Sequence, residues 1–101
     1  TVDATYIRGV PPVVNEFASA EALRSAVESA VGREGVATTL QSLGGEDFGW
    51  YLETVPGAMG RLGTRTPGGP THDLHQGTFE ADERAVPVGA AVLAHVALAP
   101  L

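Results

Sequence analysis

The chain of 101 residues contains no cysteine and no lysine. Without cysteine it forms no disulfide, no thiolate metal site and no thiol nucleophile. Its six basic residues, all arginine, stand against twelve acidic ones, for a net charge of −6. A phosphate-backbone binder needs a basic patch, so nucleic acid is not an expected partner. The same deficit argues against a polybasic membrane anchor. No apolar run approaches the roughly 20 residues of a membrane span, and no membrane partner is expected. What is present is 44% hydrophobic and 18% charged residues, which excludes an acidic disordered tail. The length allows one modest domain with a small core.

Residues 2–8 are rich in β-branched and aromatic side chains and predict a strand, stopped by Gly9 and the stiff Pro11-Pro12 pair. Residues 19–31 predict a helix capped by Ser19, with Leu23, Val27, Ala30 and Val31 on one face. Residues 36–40 predict a short strand. Gly44-Gly45-Glu46-Asp47-Phe48 leads into a second helix ending near Val55, with Phe48 and Tyr51 buried against a sheet. Residues 58–63, with two glycines, predict a buried strand. A long Gly/Pro/Thr-rich loop covers 64–81. A last helix starts near Asp82 or Glu83 and runs to about Leu98, with Pro87 bending its axis. This alternation predicts an α/β layered fold with a largely parallel sheet. A sheet of two or three strands with open edges seldom stands alone in water. The chain also enters a strand-like stretch directly at Thr1, with no leader-like segment. The expectation is a piece of a longer polypeptide or an obligate part of an assembly.

The long loop holds His72, Asp73 and His75 within four residues. Imidazole is the commonest ligand of zinc-like metals, and a carboxylate can ligate or orient it. The plainer account is a solvated polar loop, because His-x-x-His off a helix lacks fixed geometry. Gly44 and Gly45 approach a helix start whose first turn carries Glu46 and Asp47. Such an approach offers free N–H groups to an anionic or carbonyl oxygen. The plainer account is that the two carboxylates only complement the helix dipole. His95 is expected at or near the surface. Ser19, Ser25, Ser29 and Ser42 lack a nucleophile-elbow context, which argues against a serine hydrolase.

Three ordered blocks carry a resemblance: Tyr6 to Asn15; Gly44 to Phe48 with Tyr51-Leu52 and Val55-Pro56-Gly57-Ala58; and Leu74-His75 with Phe79, Asp82-Glu83 and Pro87-Val88-Gly89-Ala90. Together they resemble the metal-dependent amidohydrolase and carboxypeptidase family that includes hippurate hydrolase, N-acyl-amino-acid amidohydrolases and auxin-conjugate hydrolases. The resemblance implies the C-terminal part of a three-layer α/β di-metal peptidase catalytic domain. Residues 1–9 would be the last strand of an inserted dimerisation domain, and residues 10–101 the end of the catalytic domain. It implies His75 as a metal ligand and two divalent ions, zinc or manganese, in the whole enzyme. Asp73 or Asp82 would accept a hydrogen bond from the other ring nitrogen of His75. Gly44, Gly45, Glu46 and Asp47 would line the cleft near metal or substrate, and Asn15 would be structural at the domain junction. The implied reaction is hydrolysis of an N-acyl amino acid or small peptide, by water acidified by the cations with a glutamate as proton acceptor. A cytoplasmic homodimer is expected.

Two departures qualify the resemblance. Gln76-Gly77 follow His75 where many members have His, Ser or Asn and then Pro. The family's other ligands and its glutamate base fall outside this chain, so no catalytic residue is expected within it and the chain alone should be inactive. The alternative is a non-catalytic stand-alone remnant that folds by dimerisation or strand swapping.

Overall fold

In the computed structural model, residues 1–99 are described. The alanine-rich stretch after Glu16 forms α1 (Phe17–Val31). Its cap is not Ser19. Glu16 sits in extended backbone, and its carboxylate accepts from the N–H groups of Ala18 at 2.9 Å and Ser19 at 2.7 Å. Those bonds satisfy two of the orphan donors at a helix start, so the helix begins two residues earlier than expected. They also lower the Glu16 pKa, the Ala18 N–H contributing most and the Ser19 N–H next. Gly32, at φ 83°, ends α1 in a conformation that side chains resist. Glu21 pairs with Arg24 at 3.2 Å, and Glu28 pairs with Arg33.

A short helix, α2 (Phe48–Leu52), follows, and then α3 (Ala85–Leu98). Pro87 is the third residue of α3. The first four N–H groups of a helix have no partner within it, so proline there removes no helix bond. The helices α1 and α3 pack on each other.

The three expected strands are absent among the described residues: 2–8, 36–40 and 58–63 are all irregular. The three-layer α/β architecture is therefore not displayed by this segment. The cause is physical. A helix closes its hydrogen bonds within one segment, whereas a strand needs a neighbour. Residues 2–8 find none, and Val2, Tyr6 and Ile7 are more than four-fifths exposed. One partial substitute exists. The Asn15 amide imitates a strand backbone: its Oδ1 accepts from the Met59 N–H, and its Nδ2 donates to the Met59 carbonyl, both at 2.9 Å. Beside it the Glu16 N–H donates to the Gly57 carbonyl at 2.9 Å.

The accessible surface is 8631 Å². A monomer of 10.4 kDa would expose about 5,400 Å². The radius of gyration is 16.8 Å, against about 13 Å for this length. Among the described residues only Pro11, Ala26 and Gly49 are buried. Phe48 is half-buried and Tyr51 exposed, and residues 58–63 are half-buried to exposed rather than the buried strand expected. No helix among the described residues is long and apolar enough to cross a membrane.

Candidate metal-ligand loop

Residues 64–82 form a loop closed at its base, where the Asp82 N–H donates to the Thr64 carbonyl at 2.7 Å. His75 lies in a turn within it, at φ 67°. It is the one non-glycine with positive φ among the described residues. Histidine is among the residues that visit this left-handed region more readily than most. The residue is exposed, and the following turn is closed by the Phe79 N–H donating to the Gln76 carbonyl at 3.0 Å.

The two acceptors considered for His75 differ. Asp73 is exposed, with no side-chain hydrogen bond among the described residues. Asp82 is already committed to Arg84. The Arg84 Nε lies 2.9 and 3.1 Å from the two carboxylate oxygens, Nη2 lies 2.5 Å from Oδ2, and the Arg84 N–H donates to Oδ1 at 3.0 Å. The Arg84 side chain first, then its backbone N–H, holds the Asp82 pKa far below the usual carboxylate range. The same pairing raises the Arg84 pKa. The role considered for Asp82, orienting His75, is thereby replaced by tying the start of α3.

In the glycine block, the Gly44 N–H donates to Ser42 Oγ at 3.2 Å. The Glu46 carboxylate accepts from the Phe48 N–H at 3.3 Å, so it caps α2, while the Asp47 side chain makes no cap bond. Gly45 comes up against Val10, and a Cβ on Gly49 would collide with the Pro11 carbonyl oxygen. The glycines here permit close chain approach, while Gly44, Gly45, Glu46 and Asp47 all remain exposed.

His72 does not share the exposure of His75. It is half-buried, its Nδ1 lies 3.4 Å from Thr78 Oγ1, and it lines a shallow cavity of about 80 Å³. Arg65, Thr66, Thr71, Phe79 and Glu80 line it too. Sequence reading passed over Arg65. The available signal was a lone cation between two threonines at the edge of a Gly/Pro turn. Among the described residues no three His, Asp or Glu side chains converge to hold a metal. His75, Asp73 and the Glu46–Asp47 pair therefore do not make a complete centre. The imidazole suits the role of one donor in a shared set.

The profile of peptidase family M20/M25/M40 matches residues 1–99. The chain is 42% identical over 97 residues to a probable hydrolase of Synechocystis sp., covering 94% of this chain and 25% of that protein. It is 36% identical over 88 residues to an IAA-amino acid hydrolase of Arabidopsis thaliana, covering 86% of this chain and 19% of that protein. It is also 54% identical over 84 residues to a putative glutamate–cysteine ligase of Rhodococcus jostii. That match covers 83% of this chain but 11% of the ligase, whose name thus describes a much longer protein. The chain spans a quarter or less of each of these relatives. No solved structure gives a significant match. On a family match across nearly its whole length, the chain belongs to peptidase family M20/M25/M40, a family of hydrolases.

Proposed function

We propose that this segment completes a metal-dependent amide hydrolase acting on N-acyl amino acids, to which it supplies His75 as one metal ligand. The observation that carries the reading is the exposed His75, held in a left-handed turn and not tied to Asp82. Backbone conformations of that kind collect at binding sites, where surrounding structure maintains them. The similarity to an IAA-amino acid hydrolase supports an amino acid linked through an N-acyl amide as substrate. When bound, zinc or manganese would acidify a water and polarise the amide carbonyl. Within this chain, His75 offers one neutral ring nitrogen, with its other nitrogen free to donate to an acceptor such as Asp73. Glu46 keeps the glycine block in place by capping α2. Residues 1–9 are assigned to a strand of an inserted domain, and residues 10–101 to the catalytic domain.

In the intact hydrolase, His75→Ala is expected to lower bound metal and abolish hydrolysis of N-acyl amino acids. His95→Ala, in the last turn of α3, is the control and should retain both. Normal metal content and activity in His75→Ala would overturn the assignment.

The excess exposed surface also supports a second reading, a non-catalytic chain that folds by self-association. Sedimentation of the 101-residue chain separates the two. A folded dimer favours self-association; an unfolded monomer favours the missing remainder of a hydrolase.

A further inference from the structure

Two of the three buried residues, Pro11 and Gly49, lie against each other although they are far apart in sequence. A Cβ on Gly49 would meet the Pro11 carbonyl oxygen, and a Cβ on Gly45 would lie 3.0 Å from Val10 Cγ2. Two consecutive residues, Val10 and Pro11, thus bear on both ends of the 45–49 segment. Hydrogen bonds tie that segment together. The Gly49 N–H donates to the Glu46 carbonyl and the Trp50 N–H to the Asp47 carbonyl, each at 3.0 Å. The Phe48 N–H donates to the Glu46 carboxylate at 3.3 Å. The chain changes character on either side of Val10. Residues 1–9 are exposed and make no hydrogen bond among the described residues. Beyond them the path is fixed. Pro11-Pro12 is stiff, Asn15 holds Met59 through two bonds, and the Glu16 N–H donates to the Gly57 carbonyl.

We propose that Val10 is a positioning residue: with Pro11 it sets the place of the Gly44–Asp47 block. Its catalytic consequence rests on the amide-hydrolase reading, in which that block lines the cleft. The positioning itself is a contact within this chain and stands apart from the reaction. Val10 acts through Gly45. Gly45 has no positive φ, so its backbone conformation admits a side chain. What a side chain there would violate is the nearness of Val10. Closely packed groups have few voids to absorb a displacement, so a methyl added at one partner moves the other or the segment that carries it. Removing the opposing methyl restores the room, which gives the contact a defined signature in paired substitutions.

The test is a rescue in the intact protein, read first by amide hydrogen exchange. Gly45→Ala should speed exchange in peptides covering 44–52 by about threefold or more, the low end of coupling between residues in contact. Exchange in α1 and α3 should stay as in the wild type, which separates a displaced block from a general loss of stability. Gly45→Ala combined with Val10→Ala should return the block towards wild-type exchange. Val10→Ile keeps the Cγ2 methyl, so the same pairing with Val10→Ile should not. Kinetics on hippurate and N-acetyl-L-methionine should follow: KM rises in Gly45→Ala with kcat changing less, and the Val10→Ala pairing restores it. Additive effects of the two substitutions on exchange, or faster exchange throughout α1 and α3, would overturn the positioning role. An unmoved KM in a Gly45→Ala protein whose exchange has risen would overturn the catalytic consequence. Rescue of exchange in a protein that cleaves neither probe would retain the positioning role and discard the hydrolase reading.

Discussion

The helix pair α1–α3 and the extended segments on either side of it follow different rules. In α1 and α3, each backbone bond is closed a few residues away, and packing of one helix on the other adds to what is already formed. Residues 2–8 and 37–40 are exposed and in no strand, and Val36 is half-buried with its N–H turned back to the Arg33 carbonyl. Leu40 and Leu43 are at least nine-tenths exposed. Sequence encodes the readiness of such a stretch to be a strand, while the ladder itself comes from another strand. Asn15 marks the boundary between the two regimes, because one side chain supplies to Met59 what a neighbouring strand would.

The strongest way to break that boundary is to force the chains apart where they come closest. Gly49 and Pro11 are both buried, and a Cβ on Gly49 would run into the Pro11 carbonyl oxygen. Gly49→Val should destabilise the intact protein by about 1–3 kcal/mol, the usual cost of overpacking. Denaturant unfolding measures it; an unchanged midpoint would mean that α2 does not rest on Pro11. A smaller effect is expected from Asn15→Ala, which leaves the Met59 N–H and carbonyl to water. Because these bonds are exposed, the loss should be about 0.5–1.5 kcal/mol. Asn15→Asp keeps the acceptor and loses the donor, so it should fall between. Equal stability of all three proteins would remove Asn15 from its joining role.

The same contrast explains what was legible in the sequence. The end of α1 at Val31 and the extent of α3 to Leu98 follow from helical periodicity and from glycine after the helix. The start of α1 was misplaced because Ser19 is the conventional cap, and a glutamate with its longer side chain took that role at position 16. The strands were legible as composition only, because composition does not supply a pairing partner, and none pairs with these stretches among the described residues. At the candidate site, the residues of the Leu74-His75 block could be read, but the left-handed backbone of His75 could not, since nothing local in that dipeptide demands it. Asp82 and Asp73 looked alike as neighbours of His75. Only the fold shows Arg84, two residues beyond Asp82, folding back onto its carboxylate. Val10 was unreadable for a related reason, since what it meets, Gly45, lies far along the chain.

The smallest expected effect sharpens the comparison by pH. Glu16 caps α1, and Asp82 with Arg84 holds the start of α3, so each helix of the packed pair begins at a carboxylate. Both carboxyls have pKa values lowered by folding, Glu16 by the Ala18 and Ser19 N–H groups and Asp82 by Arg84. A lowered folded-state pKa means that the unfolded chain binds the proton more readily. The stabilisation from each is therefore complete above the unfolded value near pH 4 and is lost as pH falls through the folded one. Both groups are half-buried, the Asp82 side chain only 13% exposed, so salt should weaken the effect in part. Asp82→Asn and Glu16→Gln should each lower the thermal midpoint slightly at pH 7 and flatten its decline between pH 5 and 2. Asp3 is exposed and in no ion pair among the described residues, so Asp3→Asn should leave the whole profile unchanged. A profile as steep in the two helix-start variants as in the wild type would show that other acids, outside these helices, govern acid unfolding.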